Sequence, residues 1–222
     1  MLSELLGIRP GVTAVIGGGG KTTLLRTLGQ ELAQSYSVLL CTTTKIFPFP
    51  DIPCARSEEE LTRLREHCRL LCAGQEVPGT GGKLTAPPMP MARLAEWFDY
   101  VLVEADGSAQ RPVKAHAPHE PVIPPVANQV ICVVGASGFG RPIREAAHRP
   151  ELYARLAGAE ETDIVTPEIE VAVLKAESLY HRLFINQTDT LEDMETVKQL
   201  AALLNGPILA GSLQKGAYFR CL

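Results

Sequence analysis

Two segments of this chain carry residue types and spacings suited to a phosphorylated ligand. In VTAVIGGGGKTTLL, Gly17, Gly18, Gly19 and Gly20 follow an apolar run and leave backbone N–H groups able to converge on an anion. Lys21 stands where an ammonium can reach terminal phosphates, Thr22 where a hydroxyl can hold Mg²⁺, and Thr23 is counted with them. The competing reading is a Gly-rich turn that only joins a strand to a helix. The long form of the motif has a further glycine five residues before Gly20, where this chain has Val15, so the loop is the shortened G-x-x-G-K-T form. In DYVLVEADGS, an apolar strand delivers Glu104 and Asp106 to the carboxyl edge of a sheet, where carboxylates can hold Mg²⁺ or orient an attacking group. Gly107 permits close backbone approach there, although Asp-Gly is also ordinary turn chemistry.

Three further clusters are candidates. In LFINQTDT, Asn186 and Asp189 stand where GTP-binding proteins carry N-K-x-D, with Gln187 in place of the lysine. A carboxylate at Asp189 can accept two hydrogen bonds from guanine N1–H and the N2 amino group, a donor pair adenine lacks. The alternative is a polar turn with Thr188 or Asp189 capping the next helix. One strand later, Gly211 and Ser212 fall where a second base-contacting loop would lie. In LLCTTTK, Thr42, Thr43 and Thr44 offer hydroxyls to Mg²⁺ or water, and Lys45 offers a charge to a transferred phosphoryl group; a polar strand end is the competing reading. In KAHAPHEP, Lys114, His116, His119 and Glu120 suit recognition, a transition metal or simply a solvated loop. His67, Cys68 and Cys72 make a weaker metal candidate.

Short apolar runs alternating with helical stretches must position these residues, which predicts an α/β fold with a mostly parallel sheet. Strands are expected at Val12–Ile16, Ser37–Cys41, Leu70–Ala73, Tyr100–Val103, Val130–Val134, Leu183–Ile185 and, last, Ile208–Ala210. Helices are expected over Lys21–Ala33, from Ser57 to about His67, over Met91–Phe98, Glu151–Leu156, Pro167–Glu177 and Thr190–Leu204. A Gly/Pro-rich excursion or hairpin occupies about 74–90, and a Pro-rich loop about 111–125. No boundary divides the chain, so 1–222 is read as one domain.

The composition, 45% hydrophobic and 21% charged over 222 residues, is that of a soluble globular protein. A net charge of −4 makes nucleic acid a poor partner, and no apolar run approaches the ~20 residues of a membrane span. The opening MLSELLGIRPG has no basic region ahead of an apolar stretch, so a cytoplasmic protein is expected. The six cysteines are scattered and read as reduced.

Taken together, GGGGKTT at 17–23, TTTK at 42–45, EADGS at 104–108, K-x-H-x-P-H-E-P-V-I-P from Lys114 to Pro124, HRPE at 148–151, NQTD at 186–189 and AGSL at 210–213 resemble the YqeC-type family of bacterial P-loop proteins, accessory proteins of selenium-dependent hydroxylases. The resemblance implies a three-layer P-loop NTPase-like fold with helices on both faces of the sheet. It also implies a role in maturing a selenium-dependent molybdenum hydroxylase, at the step that equips its molybdenum cofactor, with that client or cofactor as partner. It brings no catalytic assignment. The short loop is also similar to that of Mur-type ligases, and to a trimmed form of the loop in MinD-like proteins, whose extra lysine is Ile16 here. The resulting expectation is Mg²⁺-dependent binding and hydrolysis of a nucleoside triphosphate, GTP ahead of ATP. Lys21, Glu104, Asp106 and Lys45 would act catalytically. Gly17 to Gly20, Lys21, Thr22, Thr23, Asn186, Asp189 and Ser212 would bind nucleotide, and Thr22, Glu104 and Asp106 would hold Mg²⁺. A small-molecule kinase, an ATP-dependent ligase and a non-hydrolysing nucleotide-gated module are the alternatives, and the oligomeric state is open, a homodimer included.

Overall fold

The computed structural model describes residues 1–206 and 208–221 and divides into two compact units. The first comprises residues 1–15, 22–107 and 122–130; the second comprises 16–21, 108–121 and 131 onward.

In the first unit the apolar runs form strands where the sequence places them. Its elements are α1 (Leu2–Leu6), β1 (Gly11–Gly17), α2 (Lys21–Leu32), β2 (Val38–Thr42), β3 (Cys54–Ala55), α3 (Glu58–Arg65), β4 (Leu70–Ala73), α4 (Met91–Trp97) and β5 (Tyr100–Glu104). The strands pair in the order β1-β5-β2-β4-β3, every pair parallel. Strand alternation separates two faces. Leu39, Cys41, Leu71, Ala73, Val101 and Val103 join Leu61 of α3, Leu94 of α4 and Phe98 in one cluster. Leu40 lies against α2, where a Cβ at Gly29 would come within 3.0 Å of both Leu40 and Leu70. Helices therefore cover both faces, and each leucine buried between them contributes about 1.5–3 kcal/mol. The Ser57 hydroxyl accepts from Glu60 N at 3.2 Å and starts α3 where the acidic first turn predicts. Residues 75–85 form a small hairpin, with Val77 N donating to Lys83 O and Thr85 N to Gln75 O, both at 2.8 Å.

The second unit is built from β6 (Val113–Lys114), β7 (Ala127–Gly135), a 3₁₀ turn (Ala136–Gly138), α5 (Ile143–Ala146), β8 (Ala147–His148), α6 (Pro150–Ala157), α7 (Pro167–Glu177), β9 (Arg182–Asn186), α8 (Leu191–Leu204), β10 (Ile208–Ser212) and β11 (Ala217–Cys221). β7, β9 and β10 run parallel, and β6 pairs with β8 in a separate two-stranded ladder. Thr166 caps α7 with Pro167 in its first turn, and Thr190 caps α8 in a capping box with Asp193. One expectation is corrected: Ile208–Ala210 is not the last strand. The chain turns at 213–216 and returns as β11, antiparallel to β10, and AYFRC is too short and too mixed in polarity to announce this edge strand. Likewise β6 and β8 are two-residue pieces that no periodicity can signal. Among the described residues no helix is long and apolar enough to cross a membrane.

Candidate nucleotide site

The glycine segment becomes a tight loop because its neighbours leave room for nothing larger. Gly19 adopts φ 67° and a Cβ there would lie 2.3 Å from Gly135 N; Gly20 adopts φ 113° and a Cβ would lie 2.7 Å from Asn186 Nδ2. Gly18 N donates to Val133 O at 2.9 Å and Gly19 N to Arg111 O at 3.2 Å, which fixes the loop against the end of β7 and the chain entering β6. The Lys21 ammonium folds back to donate to Gly17 O at 2.7 Å. α2 begins at Lys21, its preceding residue has no side chain to cap it, and its first turn holds no acidic residue. Such a helix start is electrostatically suited to an anion.

Asn186 is brought to this loop by the end of β9, and Asp189 and Ser212 meet each other at the ends of β9 and β10. The Asn186 amide donates to Gly19 O at 2.6 Å and accepts from Leu213 N at 3.0 Å. Read from sequence as a base contact, it is in the structure a brace between the glycine loop and the β10–β11 turn. Thr190, not Thr188 or Asp189, caps α8, so the Asp189 carboxylate is not spent on the helix. It accepts from the Ser212 hydroxyl and lies 3.3 Å from Lys215 Nζ, which together hold it below the ordinary carboxylate value. Sequence reasoning missed Lys215, whose Nζ also donates to Asp189 O at 3.0 Å. A lysine three residues past Ser212 gains that role only through the β10–β11 turn. Gln187, at φ 64°, accepts from Ser137 Oγ at 2.6 Å.

Within the first unit, Glu104 ends β5 in register with Val15 on one side and Thr42 on the other. The Thr22 hydroxyl donates to Glu104 Oε2 at 2.8 Å. A hydroxyl and a carboxylate that meet this way are the hard oxygen donors Mg²⁺ prefers, and Asp106, fully buried two residues on, adds a second carboxylate to the segment. The threonines at the end of β2 and just after it do something other than expected. Thr42 Oγ1 donates to Glu104 O at 2.8 Å, Thr43 N donates to the same oxygen at 3.1 Å, and Thr43 Oγ1 donates to Val122 O at 2.7 Å. The Thr42 hydroxyl and the Thr43 N–H thus brace the Glu104 backbone, and the Thr43 hydroxyl ties the segment to Val122. Lys45 is exposed, one residue before the Ile46–Leu84 bridge.

The KAHAPHEP and HRPE segments meet in the second unit through the β6–β8 ladder, which pairs Lys114 with His148. Glu120 joins them, 2.6 Å from Lys114 Nζ and 3.0 Å from Arg149 Nη2. His116 turns instead to Glu177, which accepts from its N–H at 2.6 Å and lies 2.8 Å from its Nδ1, while His119 is exposed. The two histidines therefore do not converge with Glu120 on a metal. No group of three or more His, Cys, Asp or Glu suited to a metal ion occurs among the described residues, so His67, Cys68 and Cys72 form no such site either.

The family model described as YqeC protein matches residues 13–151. The chain belongs to the YqeC family. The match takes in the glycine loop, the TTTK and EADGS segments, and the two segments joined by Glu120; Asn186, Asp189 and Ser212 lie beyond it. An uncharacterized YqeC protein of Escherichia coli (strain K12) is 33% identical over 159 residues, covering 68% of this chain and 62% of that protein, so the chain spans less than two thirds of this YqeC relative's length. Among solved structures, the signal recognition particle 54 kDa protein of Aeropyrum pernix K1, in complex with GDP, aligns with a TM-score of 0.44 and 17% identity over 99% of this chain and 48% of that one.

Proposed function

We propose that this YqeC-family protein binds a Mg²⁺-nucleoside triphosphate at the glycine loop and hydrolyses it in support of client maturation. The observation that carries the reading is the loop itself: glycines at positive φ, Lys21 folded onto Gly17, and a helix that starts at Lys21 with no acidic residue in its first turn. In this reading the Lys21 ammonium exchanges the Gly17 carbonyl for phosphate oxygens, and the first turn of α2 supplies backbone donors. Thr22, Glu104 and Asp106 are the oxygen ligands that would hold Mg²⁺, which when bound neutralises phosphate charge. Asp189, kept ionised by Ser212 and Lys215, accepts from the Watson–Crick edge of guanine, and Asn186 holds the glycine loop in register with that reader. The family resemblance supplies the client, a selenium-dependent molybdenum hydroxylase or its cofactor.

The test is a calorimetric titration of GTP and ATP with Mg²⁺ into the parent protein and Lys21→Ala. The parent should bind GTP more tightly, and Lys21→Ala should lose most of the affinity for both. Equal binding by the variant would remove the loop from the reading. Turnover that rises on adding the client hydroxylase would support the maturation role, and tight binding without turnover in its presence would replace hydrolysis by nucleotide gating.

A further inference from the structure

At the edge of the first unit's sheet, β3 and β4 place two cysteines opposite each other. Cys54 is in register with Cys72, and Cys72 N donating to Pro53 O at 2.8 Å and Gly74 N donating to Ala55 O at 3.1 Å lock that register on both sides. In-register residues of a parallel pair point to the same face, and adjacent strands lie about 4.8 Å apart, inside the ~4.4–6.8 Å Cα separation a disulfide spans. Both are free thiols in the structure, Cys54 partly exposed and Cys72 buried.

The two sulfurs are chemically unequal. The contact with the Cys72 thiol, helped by Arg56, holds Cys54 below the ordinary thiol value. The same contact and burial push Cys72 upward. A partly exposed cysteine held in register beside a second, buried thiol is the arrangement of a peroxide-reactive cysteine with its resolving partner. Cys41, on the neighbouring strand β2, is buried and pushed up by burial alone.

We propose that Cys54 and Cys72 form an oxidation-sensitive dithiol that closes to a disulfide with hydrogen peroxide. The Cys54 thiolate attacks one peroxide oxygen, the O–O bond breaks, and Cys54 becomes a sulfenic acid as hydroxide leaves. The Cys72 sulfur then attacks the Cys54 sulfur, the S–O bond breaks, and the departing hydroxide takes the Cys72 proton to leave as water. Two thiols and one peroxide thus give one disulfide and two waters. The bond ties the edge strand β3 to β4 and closes a loop that contains α3.

The experiment exposes the full chain to hydrogen peroxide, blocks remaining thiols by alkylation and maps peptides by mass spectrometry, with thermal unfolding read in parallel. Two of the six thiols should be lost, a Cys54–Cys72 linked peptide should appear, and dithiothreitol should reverse both. The melting temperature should rise on oxidation. Cys72→Ser should stop at a dimedone-trapped sulfenic acid on Cys54, and Cys54→Ser should give neither adduct nor link. Far-UV circular dichroism and the melting curve of each reduced variant establish that it is folded. A Cys54 that stays fully alkylatable, or that links to a different cysteine or to a second chain, overturns the proposal.

Discussion

Asp189 shows how a residue's neighbours select its role. Ser212 donates to its carboxylate and Lys215 lies beside it, so the group stays ionised at neutral pH and remains an acceptor. Hydrogen bonds to a charged group contribute about 1.5–3 kcal/mol each, and about 1.4 kcal/mol is tenfold in affinity. Asp189→Asn should therefore weaken GTP binding by roughly 10–100-fold while improving that of xanthosine triphosphate, measured by competition titration; unchanged base selectivity would remove Asp189 from the base site. Gly19→Ala makes a different demand, because its Cβ would meet the Gly135 backbone at 2.3 Å from a positive φ. We expect a loss of about 1–3 kcal/mol in stability by denaturant unfolding, together with loss of nucleotide binding. At this scale the placement of the glycines, Lys21, Thr22 and Glu104 at a strand–loop–helix turn and a strand end was legible, because residue type and spacing encode those local conformations. Asn186 was legible in place but its partners were not, since Gly19 O and Leu213 N are backbone groups without a sequence signature. Lys215 was invisible without the hairpin that returns it to Asp189.

Elements with strong ends were the easiest to read, and the caps explain why. Ser57, Thr166 and Thr190 each accept a backbone N–H at the helix start they announce. Thr190→Ala should cost about 1 kcal/mol, read as a lower denaturation midpoint at unchanged slope. Strands of two residues and the antiparallel β11 went unread because pairing partners, not local periodicity, create them. Between α6 and α7, burial has a further consequence. Glu170 is fully buried, accepts from the Tyr153 hydroxyl, and burial raises its carboxyl from 4.5 to about 7. Below about pH 4.5 both folded and unfolded chains carry the proton. Between there and pH 7 only the unfolded chain ionises, so stability falls as pH rises through this window, by on the order of 3 kcal/mol, and then levels off. Glu170→Gln keeps a carbonyl oxygen for Tyr153 and cannot ionise. Its unfolding free energy should change less between pH 4.5 and 8 than that of the parent. Identical pH slopes would show that Glu170 does not titrate as described.

Across the whole molecule the net charge of −4 opposes rather than favours a polyphosphate ligand, so attraction has to come from short-range groups. That has a thermodynamic signature different from general charge attraction. A ligand that binds only the folded chain stabilises it by about 2.7 kcal/mol at one hundred times its dissociation constant. For a chain of this length that corresponds to a melting-temperature rise of about 5–10 °C. If Thr22 and Glu104 hold Mg²⁺, part of the rise should vanish when the metal is chelated, and Thr22→Ala should remove that Mg²⁺-dependent part while leaving a smaller response to nucleotide alone. Differential scanning fluorimetry with and without chelator separates the two contributions. A rise that is insensitive to chelation in the parent, or equally Mg²⁺-dependent in Thr22→Ala, would place the metal elsewhere and leave the Thr22–Glu104 hydrogen bond a structural contact.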